Sequence, residues 1–145
     1  MNADLAYRAC STDQTNRPRL VLLLYEQLIK DLRQALAAIE HQDIETRTFE
    51  IGHALTVVGQ LQACLDMEHG AEVARNLDHF YALVRKALLE AQTGASAEIL
   101  RSQIANLLTV RDAWAEVEKA EAAVHLAPAA SPVEPENVRP AEWRA

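Results

Sequence analysis

Between Pro18 and Pro128 there is no proline, and the chain's four glycines are spread thinly through that span. Such a stretch lacks the punctuation that a turn-rich fold needs. Runs of β-branched residues are also few, which argues against strands. Leu, Ala, Glu, Gln and Arg fill the span instead, and all are good helix formers. The fold class expected from this is all-α.

Other scarcities narrow the function. Cys10 and Cys64 are the only cysteines; they are not at metal-ligand spacing and no CxxC pair exists, so two free thiols in a reducing compartment are expected. The start, Met1-Asn2-Ala3-Asp4, has no basic region followed by an apolar run, so no secretory leader is read there. The longest apolar tract, Leu20 to Leu24, is too short to cross a bilayer. A cytoplasmic, soluble protein without a membrane partner is expected. Cations are in the minority: 14 Lys and Arg face 21 Asp and Glu, for a net charge of −7. They are scattered along the chain, whereas nucleic-acid binding concentrates them to neutralise phosphates, so no nucleic-acid partner is expected.

What the chain does have is apolar residues at helical spacing, 50% of the total being hydrophobic. With 145 residues it makes one domain plus terminal extensions. Residues 1–16 read as a polar N-terminal arm, 17–124 as a helical bundle, and 125–145 as a proline-rich, acidic tail with little to bury. Asn16 is a plausible N-cap, and Pro18 suits a first turn. The first helix should run over 17–41, the second from an Asp43 cap to about 66, the third over 71–92, and the fourth from a Ser96 cap. Each is expected to be about 20 to 27 residues long, close to the long end of globular helices. Connections of a few residues force antiparallel neighbours, so an up-down-up-down four-helix bundle is predicted.

In the first helix Val21, Tyr25, Leu28, Leu32, Ala35 and Ile39 form one seam, and Leu22, Ile29 and Leu36 a second, one heptad apart. Together with Leu24 they cover an arc of roughly 160°, more than the arc of about 100° that bundle packing requires. The surplus is expected to serve either as a binding surface or as a face covered by further helix neighbours or the N-terminal arm. Ile44, Ile51, Leu55, Val58, Leu61 and Leu65, widened by Phe49, Val57 and Cys64, should form the core stripe of the second helix. Val73, Leu77, Phe80, Val84, Ala87 and Ala91 do so in the third, with Thr93-Gly94 as its stop. Leu100, Ile104, Leu107, Val110, Trp114 and Val117 carry the apolar face of the fourth.

Catalytic constellations are missing from the sequence. Glu50 and His53 form one E-x-x-H pair, but a di-iron bundle uses two such pairs and two further glutamates. An exposed acid–histidine pair is the expectation, and neither metal nor cofactor is expected. No glycine-rich phosphate loop and no Ser/His/Asp or Cys/His context occurs, so the protein is not expected to be an enzyme.

The joint Leu65-Asp66-Met67-Glu68-His69-Gly70-Ala71-Glu72-Val73-Ala74-Arg75-Asn76 carries the most specific signal. Gly70 is a natural breaker, and Glu72 sits in the next helix's first turn, where the helix dipole favours an acid. With Leu77 and Tyr81, with Leu20-Val21-Leu22-Leu23-Leu24-Tyr25, with Ala38-Ile39-Glu40 before Asp43-Ile44-Glu45, and with Arg111-Asp112-Ala113-Trp114, it resembles the flagellar secretion chaperones of the FliS type over most of residues 5–118. There are departures. Gln14-Thr15-Asn16-Arg17-Pro18 stands where the family usually has a Thr-Ala-Ser-Pro cap, Ala71 replaces a usual second glycine, and the tail has no counterpart.

The resemblance implies a cytoplasmic export chaperone. It would hold the disordered C-terminal segment of flagellin in an apolar groove, prevent premature polymerisation and keep the client competent for flagellar type III secretion. Such binding follows the helix-in-groove mode. The groove is expected at Leu22, Tyr25, Ile29 and Leu36 of the first helix and Leu107, Val110 and Trp114 of the fourth. Tyr7 of the arm would gate the empty groove. Flagellar export apparatus components are further candidate partners. The alternative is a self-associating helical bundle with a structural or adaptor role.

Overall fold

The computed structural model describes residues 17–126, which form four helices and no strand among the described residues. They are α1 (Arg17–Glu40), α2 (Ile44–Ala63), α3 (Ala71–Gly94) and α4 (Ala97–Leu126). Cross-helix hydrogen bonds show the antiparallel order. Gln62 near the end of α2 donates to Asp78 near the start of α3, and Gln92 near the end of α3 donates to Thr48 near the start of α2. Arg101 at the start of α4 reaches Glu40 at the end of α1. α1 packs most extensively, against α2 and α4, while α3 closes the ring with lighter contacts.

Local chemistry sets the helix ends. Pro18 stands in the first turn of α1; Asn16 lies outside the described residues. The Asp43 carboxylate accepts from the Thr46 backbone N–H at 3.0 Å and from its hydroxyl at 2.7 Å, satisfying an orphan donor of α2. Ser96 Oγ likewise accepts from Ile99 N–H at 3.2 Å and caps α4. α3 does not stop at Thr93-Gly94: Gly94 is its last helical residue, and Ala95 takes the left-handed conformation, φ 49°, that ends it. At 30 residues α4 exceeds the expected 20 to 27.

The seams read in the sequence supply much of the core, with Leu28, Leu32, Ile51, Val58, Leu61, Val84, Leu100 and Leu107 fully buried; Tyr81 and Leu88 of α3, outside its expected stripe, are fully buried as well, while Ala87 of that stripe is only half-buried. Four residues assigned to core stripes are instead exposed: Ile44, Phe49 (68%), Val73 (65%) and Val117. Phe49 and Val73 stand on the flanks where α2 and α3 face solvent, and the lighter packing of α3 leaves them without a covering helix. Cys64 also departs from expectation. It is buried and disulfide-bonded, not a free thiol; Cys10 lies outside the described residues. No helix among the described residues is long and apolar enough to cross a membrane.

Candidate functional site

The ionisable and aromatic groups inside the bundle hold the helices in place. Tyr25 of α1 and Tyr81 of α3 are buried, with hydroxyls 2.7 Å apart and ring centroids 6.2 Å apart. Burial pushes the Tyr25 hydroxyl up to about 12, against the opposing hydrogen bonds of Tyr81 and Trp114. Burial, then the neighbouring Tyr25, raises Tyr81 as well. A buried hydroxyl without a partner is costly, so the pair fixes the register of α1 against α3.

Asp31 is the one buried charged residue among those described, at 1% exposure. Its two carboxylate oxygens are both engaged: Gln27 Nε2 donates to Oδ1 at 2.8 Å, and His53 Nδ1 lies 2.5 Å from Oδ2. His53 is therefore half-buried and tied to α1, not exposed beside Glu50. The E-x-x-H spacing serves helix packing here. Among the described residues no group of three His, Cys, Asp or Glu side chains is placed to hold a metal ion.

The joint between α2 and α3 is organised by Asp66. Its carboxylate accepts from the backbone N–H groups of His69 (3.0 Å) and Glu68 (3.2 Å) and pairs with His69 Nδ1 at 3.0 Å. The His69 backbone donor is the largest cause holding its pKa below the usual carboxylate value. Gly70 is required by close approach rather than by backbone angle. Its φ is −85°, open to any residue, but a Cβ there would lie 2.7 Å from the Asp66 carbonyl oxygen. The positive φ, 33°, falls on Ala71. Beside the joint is a cavity of about 130 Å³, enclosed by side chains that include Val21, Leu65, Val73, Leu77, Tyr81 and Trp114. Arg17 Nη1 donates to the Cys64 carbonyl at 3.2 Å on its edge.

The residues expected to line one groove are divided between core and surface. Tyr25, Ile29 and Leu107 are buried in the core. Leu22, Leu36, Val110 and Trp114 are half-buried. Trp114 comes together with Tyr25 and with the α3 side chains of the joint cavity. Ile29 forms the floor of a different recess of about 330 Å³ on the α1–α4 face. Tyr7 lies outside the described residues.

A third recess went unread in the sequence. It measures about 680 Å³ and lies along α3 next to α2, with Gln62, Ala82, Arg85, Lys86 and Leu89 among its lining. Gly59 of α2 adds no bulk beside Arg85: a Cβ there would meet only Arg85 Nη2 at 3.8 Å. Nothing local in the sequence marks this recess, which exists only where α2 faces α3.

Every helix thus keeps large apolar side chains in solvent: Leu23 on α1, Phe49 on α2, Val73 and Leu89 on α3, Val117 on α4. Exposed apolar side chains beside recesses between helices are features that a surface for another polypeptide segment would use. A family model described as Flagellar protein FliS matches residues 1–121. Curated relatives agree. The chain is 36% identical over 99 residues to the flagellar secretion chaperone FliSB of Pseudomonas aeruginosa, covering 68% of this chain and 79% of the relative. It is 27% identical over 116 residues to flagellar secretion chaperone FliS of Vibrio cholerae (77% and 85% covered). Against that of Campylobacter jejuni it is 29% identical over 124 residues (83% and 97% covered). The chain belongs to the FliS family. It is an export chaperone of the flagellar secretion system and not an enzyme.

Proposed function

We propose that the client is the C-terminal segment of flagellin, bound in the cytoplasm as amphipathic helices on the outside of the bundle. The supporting observation is that large apolar side chains stay exposed on all four helices. A compact partner would need one patch, while an extended segment that folds on binding can use several, burying on the order of 1,000–3,000 Å² in total. Leu22 and Leu36 on α1, with Val110 and Trp114 on α4, offer half-buried contacts. The recess beside α3, with Leu89 in its lining, would take a second stretch.

Binding holds the segment by mass action and needs no nucleotide. Covering its apolar face prevents premature polymerisation and keeps it available for type III secretion. In the empty chaperone Tyr7 would cover part of the same surface, a ring with one polar tip being suited to that place. Gel filtration with and without a synthetic flagellin C-terminal peptide tests this. A stable one-to-one shift supports the reading; oligomers of the chain alone that ignore the peptide would support a self-associating adaptor instead.

A further inference from the structure

Cations that are scattered in sequence converge in the fold. Lys30 and Arg33 of α1 and Arg111 of α4 surround the recess of about 330 Å³ whose floor is Ile29, itself only 3% exposed. Glu26 shares the rim, and Arg111 Nε donates to Asp112 Oδ1 at 3.2 Å. Among the described residues Lys30 and Arg33 have no ion pair and no side-chain hydrogen bond. A chain of net charge −7 therefore presents a rim at this recess on which Lys30 and Arg33, without an ion pair of their own among the described residues, outnumber Glu26.

We infer that this recess is a docking point for an acidic side chain of the client helix. The inference rests on the flagellin reading and deepens it by naming the chemistry the client must carry. Leu22 and Leu36 lie one heptad before and one after Ile29, so α1 presents an apolar, cationic, apolar order over roughly 21 Å. A client helix lying along that line would set apolar residues on Leu22 and Leu36 and an Asp or Glu between them, facing Lys30 and Arg33. Opposite charge across an interface fixes register and rejects segments that present a cation at that point. The apolar floor partly excludes water and so strengthens the pairing relative to a fully solvated one.

The test uses the full chain, a fluorescent flagellin C-terminal peptide, and the same peptide with every Asp and Glu changed to Asn and Gln. The chaperone variant is Lys30→Glu/Arg33→Glu; both side chains are exposed, and a thermal melt checks that the fold is kept. The variant should bind the natural peptide about tenfold more weakly, the combined effect of two lost surface pairs and the new repulsion. Added salt should shrink that gap, and the acid-free peptide should show no loss of affinity for the variant. Equal affinity of wild type and variant for the natural peptide overturns the inference while leaving the flagellin reading intact. Failure of wild type to bind either peptide overturns both. If residues 127–145 fill the recess, deleting them tightens wild-type binding of the natural peptide and abolishes the variant's defect. If a second copy fills it, sedimentation shows a dimer that the double reversal dissociates. Either result replaces the client as occupant.

Discussion

The hydroxyls of Tyr25 and Tyr81 satisfy each other across 2.7 Å of buried space, in a core where every large neighbour is apolar. The pair links α1, the most heavily packed helix, to α3, the most lightly packed one. Tyr25→Phe leaves the Tyr81 hydroxyl unpartnered, which should cost about 1–3 kcal/mol in urea unfolding; Tyr81→Phe should cost less, because Trp114 still hydrogen-bonds the Tyr25 hydroxyl. The double replacement should cost less than the sum of the singles, because no orphan hydroxyl remains.

The same pair sets an alkaline limit. Both pKa values are raised in the folded state, Tyr25 to about 12. Their contribution is fully present below the unfolded tyrosine pKa of about 10 and is lost as pH rises from there through the folded value. A stability profile should fall across that window in wild type and less steeply in the double phenylalanine variant.

At the acid end the carboxylates of Asp43 and Asp66 act in the opposite sense. The Thr46 hydroxyl is the largest cause lowering Asp43, and the His69 backbone N–H the largest lowering Asp66. Lowered folded values stabilise above the unfolded pKa of about 3.9 and lose that stabilisation as pH falls below it. Asp66→Asn should flatten the acid limb of the melting profile and loosen the joint, read as faster amide exchange at Glu68 and His69.

Backbone substitutions at the joints should separate two kinds of constraint. Gly70→Ala drives a Cβ to 2.7 Å from a carbonyl oxygen and should destabilise by about 1–3 kcal/mol, the range for overpacking. Ala95→Gly relieves a left-handed residue at a helix end and should stabilise by about 0.5–1 kcal/mol. Thermal melts of the two variants in parallel check both signs.

These backbone details show what was legible in the sequence and what was not. Helix number, order and caps could be read because apolar spacing and Asp43 and Ser96 are local signals. The core seams were legible for the same reason. Exposure of Phe49 and Val73 was not, because it depends on how tightly α3 sits against its neighbours, a property of four helices at once. The Asp31–His53 link was hidden behind the local Glu50–His53 spacing, since nothing along the chain shows which helix faces His53. Burial of Tyr25, Ile29 and Leu107, expected to line the groove, was not legible either, because their periodicity serves core and surface alike. Gly70 was flagged correctly, but the relevant property is lack of bulk, with the unusual backbone angle one residue later at Ala71.

The central claim is that apolar surface on this bundle folds an amphipathic flagellin segment onto itself. Calorimetric titration with the flagellin C-terminal peptide at several temperatures tests it most directly. Saturable one-to-one binding is expected, with a clearly negative heat-capacity change and weakened by Leu22→Asp/Leu36→Asp. A flat titration, or binding whose enthalpy does not vary with temperature and which ignores those substitutions, would contradict it.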